Sequence, residues 1–229
     1  MDLRCRTIEL PESRELCDKT VLRAKDRKEQ RRKRRNLGEK LGEPKLVEAA
    51  AREQALKVFE MLKRMRAERF RQQGCRDILA EAQFAPFYEE LASRGPPEFV
   101  SLASIGSDET PIAALMALRH ADNYVLIMHS FATDHEQLSP GIVALDALMT
   151  HLIEGGTHHC DFTTGNEPYK KQFGVVEQAM RHGCDCVTAQ GRLFGALLQQ
   201  KKKIRCALVK YLGKYAKFLR RWWPISRPC

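Results

Sequence analysis

The sequence predicts an α+β fold, a mixed sheet with one parallel strand-helix-strand crossover flanked by helices. Three observations lead there. First, an apolar run from Asn123 to Phe131 gives way to Ile142, Leu145, Leu148, Met149, Leu152 and Ile153 at helical spacing, and a second strand-like run follows from His158 to Thr164. A strand-helix-strand unit of this length connects two parallel strands. Second, Glu98 to Ile105 and Pro111 to Arg119 read as strands separated by Gly106-Ser107-Asp108-Glu109, and Ala121-Asp122-Asn123 turns the chain into the crossover. Third, two apolar helical faces precede the sheet and can cover it.

In chain order, Pro11 to Leu41 reads as a helix of mixed charge, broken by Gly38, Gly42 and Pro44, with Lys45 to Glu48 as a short strand. Ala51 to Gln73 carries Ala55, Val58, Phe59, Leu62, Met65 and Phe70 on one face and stops at Gly74. Asp77 caps a further helix through Ile78, Leu79, Phe84, Phe87, Tyr88 and Leu91, which ends at Gly95-Pro96-Pro97. In the crossover, Ser139 is the expected N-cap, Pro140 suits the first turn, and Gly155-Gly156 ends the helix. Its N-terminus then lies beside the carboxyl end of the first crossover strand, where backbone N–H groups can receive an anion. Cys184 to Ala189 is read as a last strand and Gln190 to Trp223 as a long amphipathic helix. The expected division is a basic helical segment over 1–44, the main domain over 45–189, and a basic helix over 190–229.

The formal net charge is +10, but residues 186–229 hold eleven Lys and Arg and no acid. The body is therefore close to neutral, which argues against a general nucleic-acid-binding fold. Nine of the thirteen residues from Arg23 to Arg35 are basic. A solvated helical face and a phosphate-contacting one both remain open for that stretch, although without aromatics it is no base-stacking platform. Eight cysteines lack a disulfide-like spacing, and charged residues interrupt the first ten positions, so reduced thiols in a cytoplasm are expected. No apolar run approaches a membrane-spanning length of about 18 residues.

The most specific string is DFTTGNEPYKKQFG, Asp161 to Gly174. Asp161, Phe162, Gly165, Glu167, Pro168, Tyr169, Lys170 and Gly174 resemble the signature that closes the catalytic domain of CelD-type proteins, a branch of the GNAT acyltransferases. Ser139-Pro140-Gly141 is similar to the family's helix opening, and the looser resemblance runs from about Lys25 to Val175. Phe173 stands where Trp is more usual, and the pyrophosphate loop Q/R-x-x-G-x-G/A is not visible between Phe131 and Ser139. Members of this branch are commonly longer, so the resemblance implies the second, catalytic lobe of a two-lobed transferase.

That resemblance implies direct acyl transfer from acetyl-CoA or another acyl-CoA to an amine, in envelope polysaccharide or lipid metabolism. Backbone N–H groups of the strand ending at Phe131 would face the acyl carbonyl, with Ser139, Gly141 and Ile142 at the phosphate-facing helix terminus. Tyr169 is the candidate acid. Asp161 and Glu167 are candidate bases or substrate contacts, or else brace a turn; Asp161 lies among apolar strand residues, where a carboxylate needs a partner, and Lys170 is the expected one. His129 and Lys170 are candidate substrate contacts, and His135 and Asp134 fall near the same cleft. The alternative within the fold is a Fem-type aminoacyl-tRNA-dependent transferase, with Arg23 to Arg35 on the tRNA, and that of a different class is an inert interaction lobe. Homodimerisation or a second transferase lobe would complete the unit.

Two clusters resemble metal ligands, His158-His159-Cys160 and His182-Gly183-Cys184-Asp185-Cys186. The C-x-C spacing is too short for the usual pairing, and neighbouring strand residues face opposite ways, so no metal site is expected. The C-terminal helix aligns Leu193, Leu197, Ile204, Leu208, Tyr211, Tyr215, Phe218 and Trp222 beside a basic face. It reads either as a helix packed on protein or as a contact with an anionic membrane surface, which would make the protein cytoplasmic and peripheral to the membrane.

Overall fold

A computed structural model describes residues 4–180, except 96, 108, 109 and 166, and residues 187–200, except 194, 198 and 199. The strands are β1 (Arg4–Glu9), β2 (Lys45–Glu48), β3 (Val100–Ser107), β4 (Thr110–His120), β5 (Asn123–Phe131), β6 (His159–Thr164) and β7 (Val176–Ala179). The helices are α1 (Arg14–Thr20), α2 (Ala24–Leu41), α3 (Arg52–Gln73), α4 (Ala85–Arg94) and α5 (Pro140–Glu154), with 3-10 turns at Ile78–Ala80, Thr133–Leu138 and Pro168–Phe173. The strands form one sheet in the order β2-β3-β4-β5-β6-β1-β7. β5 and β6 are parallel, joined through α5, while β2 to β5 and the β6–β1 pair run antiparallel. This is the mixed α+β sheet that the sequence predicts, with a single β-α-β crossover among the described residues.

Apolar side chains alternate along the strands and build a core on each face of the sheet. One unites Ile105, Leu115, Tyr124, Phe162 and Phe173 with Leu145, Leu148, Met149 and Leu152 of α5 and Leu37 of α2. The other joins Leu102, Met116 and Met128 to Val58, Phe59, Leu62 and Met65 of α3. Each fully buried Leu or Phe contributes about 1.5–3 kcal/mol, so both helical layers are firmly held.

Residues 4–178 form one compact unit. The sequence reading missed β1 because Arg6 occupies an inward position beside Ile8; both are buried, and Arg6 Nη2 meets Glu177 Oε1 at 2.6 Å. The single helix expected over 11–41 is two, because Leu22 turns into the core between them. Both are tied to α5, Arg14 of α1 contacting Asp146 at 2.5 Å and Arg34 of α2 the same carboxylate at 3.8 Å, while Arg14 and Arg31 meet Asp18 at 3.0 and 2.7 Å. The helix expected after Asp77 is also divided. Asp77 caps the 3-10 turn through Leu79 N–H at 3.2 Å, and α4 starts afresh with Pro86 in its first turn. Ser139 is not a side-chain cap; it takes a left-handed φ of 56° at the start of α5.

The second unit is described only in part. Its residues described between 189 and 197 are helical, and the Thr188 hydroxyl accepts the Gly191 N–H at 3.0 Å. Ala189 therefore opens a helix and does not end a strand. The rest of the expected strand, the cluster at 182–186 and the helix beyond 200 lie outside the described residues. Among those described, no helix is long and apolar enough to cross a membrane. Cys5, Cys17 and Cys160 are free thiols, whereas Cys75 is disulfide-bonded, a correction to the expectation of reduced cysteines.

At the amino end of β5 a polar network braces the sheet. Tyr124 lies 3.0 Å from Ser101 Oγ, which donates to Glu48 Oε1 at 2.5 Å. Arg119 donates to Glu48 Oε2 at 2.8 Å, and His151 Nε2 is 3.4 Å from the same oxygen. Burial alone would raise the Glu48 pKa, but the hydrogen bonds from His151, Ser101 and Arg119 outweigh it and hold the carboxyl at about 2.

Candidate active site

β5 and β6 begin side by side and then part. Their register comprises Asn123 with His159, Tyr124 with Cys160 and Val125 with Asp161. Each strand carries a bulge near the parting. On β5, Met116 pairs with Met128 but Ala117 with Leu126, leaving Ile127 as an extra residue. Such an insertion reverses the faces that follow it: Tyr124 and Leu126 belong to the α5 core, and Met128 to the α3 core. On β6, three steps from Asp161 to Thr164 match two on β1 from Cys5 to Thr7. The extra step falls at Thr163, whose φ of 58° is unusual for a β-branched residue. Asp161 Oδ1 accepts the Thr163 N–H at 2.7 Å and holds this bend.

The motif that follows closes the bend. Buried Lys170 donates from Nζ to the carbonyls of Phe162 at 2.8 Å and Thr164 at 3.1 Å, and meets Glu167 Oε2 at 3.0 Å. A Cβ on Gly165, at φ 126°, would run into the Glu167 carboxylate, and one on Gly174, at φ 71°, would reach 2.5 Å from the Val21 carbonyl. The motif glycines are therefore set by close approach. Phe162 and Phe173 meet edge to face at 5.9 Å in the core. Asp161, Glu167 and Lys170 thus brace the turn, and Lys170 pairs with Glu167, not with the expected Asp161.

What the turn presents is Tyr169, whose ring meets His129 edge to face at 5.5 Å. Both line a cavity of about 250 Å³ with Phe131, Ser139, Gly141 and Ile142. These six of the nine residues singled out from the sequence come together; Asp161, Glu167 and Lys170 stand outside the lining. His135 and Asp134 are also outside it. Gly141 lets Phe131 sit on the start of α5, since a Cβ there would lie 2.8 Å from the ring. The N–H groups of Ile142 and Val143 both donate to the Ser139 carbonyl, at 3.0 and 3.3 Å, and Pro140 has none. The first turn of α5 therefore offers the Gly141 N–H to an anion, a sparser site than a phosphate loop and in keeping with the missing loop pattern.

Three lining residues were not singled out from the sequence: Arg69 and Gln73 of α3, and Glu136. Arg69 lies with its guanidinium 4.8 Å from the Phe131 ring centroid, and its buried Nε has no hydrogen-bond partner among the described residues. Burial pushes the Arg69 pKa down, and the nearby Arg66 charge adds to this, while Tyr169, Glu136 and Glu167 act against it. Burial, then Arg69, Lys170 and Arg66, push His129 down to about 3, so the imidazole is neutral at physiological pH. Burial also pushes the Tyr169 phenol up, helped by Glu167, so it keeps its proton. The Ser130 hydroxyl, just before Phe131, is buried without a partner among the described residues. No group of three or more metal-binding side chains occurs among the described residues.

The basic stretch on α2 is largely occupied within the protein. Arg23, Arg31, Arg32, Lys33, Arg34 and Arg35 make ion pairs, and Arg27 bonds the Asp18 carbonyl. Lys25 and Lys28 have no such partner among the described residues, which leaves a thin platform for a polyphosphate.

The profile of the acetyltransferase (GNAT) domain family matches residues 24–171. No curated protein matches in sequence at a significant level. Among solved structures, FemX is similar at a TM-score of 0.53 and 10% identity, over 77% of this chain and 59% of that one. L-PGS from Bacillus licheniformis gives 0.48 and 9%, covering 71% and 45%. A GCN5-related N-acetyltransferase from Kribbella flavida gives 0.44 and 11%, covering 78% and 55%. The chain spans about half the length of these solved chains.

Proposed function

Since the chain belongs to the GNAT acetyltransferase domain family, we propose that it moves an acyl group from acyl-CoA to an amine by direct attack, as a CelD-type member. The observation that carries this reading is the cavity where β5 leaves β6, with Tyr169 and His129 at its wall and the start of α5 at its rim. Beyond Val125 the β6-facing edge of β5 has no strand partner in the described register. Its backbone groups are available to an extended acyl-pantetheine chain, and its N–H groups to the acyl oxygen. Phe131, Gly141 and Ile142 would line the thioester's path, with the Gly141 N–H as the phosphate contact.

The thioester supplies an activated acyl carbon when bound. The residues then hold two reactants together, which is worth up to roughly 7–11 kcal/mol, and each backbone donor to the oxyanion contributes about 3 kcal/mol. The new C–N bond forms as the C–S bond breaks. Glu136, the carboxylate of the cavity lining, receives the proton released by the amine, and Tyr169 gives its own to the departing thiolate. Neutral His129 orients the amine as a hydrogen-bond partner. The sparse anion site at α5 favours a second reading, Fem-type transfer from aminoacyl-tRNA.

Thermal unfolding of the full chain with acetyl-CoA, and separately with tRNA, tests both. Acetyl-CoA at 100 times its dissociation constant adds about 2.7 kcal/mol. Tyr169→Phe keeps that shift and lowers transfer in an amine screen by about 100-fold or more. A shift with tRNA alone would replace the first reading with the second; no shift with millimolar acetyl-CoA would remove the first.

A further inference from the structure

The cavity holds two opposite charges that the fold does not use. Arg69 makes no hydrogen bond or ion pair among the described residues, although it projects from α3 into the lining and stacks on Phe131. Elsewhere on the same helix Arg66 is satisfied by Asp77, and Arg71 by Glu68. In the same lining, the Glu136 carboxylate also makes no hydrogen bond or ion pair among the described residues; it acts on Arg69 electrostatically without bonding it. A half-buried guanidinium is expensive to leave without an acceptor, because its desolvation is not repaid. Glu167, the other nearby carboxylate, is engaged by Lys170. The wall is therefore short of one oxyanion beside Arg69, and it carries at Glu136 an exposed carboxylate that no cation of the fold engages.

We propose that this cavity recognises a zwitterionic amine, a primary amine with a carboxylate or phosphate close by, Arg69 taking the oxyanion and Glu136 the ammonium. In this site the fork of Arg69 matches a planar carboxylate or a phosphate face, with the Phe131 ring holding the guanidinium plane. Gln73, one turn further along α3, lies on the same wall and adds an amide to the oxyanion end. Glu136 first orients the ammonium and takes one proton from it, which leaves the amine nucleophilic; being exposed, it passes that proton to solvent and is free to receive the second, released as the C–N bond forms. The assignment of the amine as acceptor rests on the acyl-transfer reading; the recognition itself does not require it.

Calorimetric titration of the full chain without any acyl donor tests the recognition. Glycine and 2-aminoethyl phosphate carry both charges, acetate and inorganic phosphate the anion alone, and methylamine the cation alone. At least one of the two zwitterions is expected to bind about tenfold or more tighter than methylamine and than its matching anion, and the tighter one identifies the oxyanion as carboxylate or phosphate. Arg69→Met should abolish binding of the zwitterions and the anions, and Arg69→Lys should restore part of it. Glu136→Gln, a change on an exposed side chain that folds regardless, should weaken the zwitterions about tenfold without weakening acetate. Zwitterions binding no tighter than methylamine, or equally well to Glu136→Gln, would overturn the proposal. An acetyl-CoA shift that survives such a failure would leave the acyl-transfer reading standing, and a zwitterion response without an acetyl-CoA shift would do the reverse.

Discussion

At its amino end β5 is paired with β6, and its Tyr124 hydroxyl meets Ser101, which meets Glu48, which also receives Arg119 and His151. At its carboxyl end the pairing with β6 has ceased, and the Arg69 Nε of the cavity lining is buried with no partner among the described residues, as is the Ser130 hydroxyl, which lies outside that lining. One strand thus joins a saturated polar network to an unsaturated cavity. Buried polar groups are normally satisfied, and the exceptions call for a reason. The contrast separates groups that hold the sheet together from groups left available to a ligand, and it does so without reference to sequence motifs.

The largest break in this comparison is expected at Glu48. Glu48→Ala leaves Arg119 without its carboxylate and should cost about 3–5 kcal/mol in denaturant unfolding. A loss below about 1 kcal/mol would mean that the network is not a brace.

Acid separates the two ends next. Glu48 has a folded pKa of about 2, below its ordinary 4.5, so its contribution is present above pH 4.5 and disappears as pH falls towards 2. That contribution is on the order of 3 kcal/mol, and Glu48→Gln should remove this part of the pH dependence. His129 also has a depressed pKa, about 3 against 6.5, so the unfolded chain takes up its proton first and stability declines from pH 6.5 downwards. Equilibrium unfolding of His129→Gln across this range should show a flatter decline between pH 6.5 and 3. An unchanged profile would mean that the imidazole is not held neutral.

The smallest effect is expected at Ser130. Because its hydroxyl has no partner, Ser130→Ala should be neutral or stabilising by up to about 1 kcal/mol. A loss beyond about 1 kcal/mol in the same unfolding assay would show that the hydroxyl is bonded in solution.

Much of this arrangement could be read from the residues. The limits of β2 and β5 coincide with the runs Lys45 to Glu48 and Asn123 to Phe131, because apolar patterning and flanking turn residues mark both. Five lining residues, His129, Phe131, Ser139, Gly141 and Ile142, were also reachable, since a crossover places the end of its first strand beside the start of its helix, and Tyr169 was reachable through the resemblance of its motif. Arg69 was not reachable. It lies on the helix whose apolar positions read as core, and charge on such a face looks like solvent-facing surface until the sheet supplies Phe131 beneath it. Glu136 sat in a polar loop with nothing to distinguish it from Asp134. Asp161 and Glu167 read as bases, substrate contacts or turn braces, and Lys170 as a substrate contact or brace, because the motif resemblance leaves these open; their contacts go to the Thr163 N–H, to the Phe162 and Thr164 carbonyls and, between Glu167 and Lys170, to each other, which spacing alone does not reveal. β1 stayed hidden because its inward Arg6 broke the apolar alternation by which strands are recognised.

The central claim is that the unsaturated end of β5 receives an acyl donor while the saturated end stays as it is. Amide hydrogen exchange with and without saturating acetyl-CoA tests this directly. Exchange at Leu126 to Phe131 and at Gly141 should slow several-fold, with Lys45 to Glu48 and Ser101 unchanged. Protection confined to the Glu48 end, or none anywhere at saturation, would contradict the account.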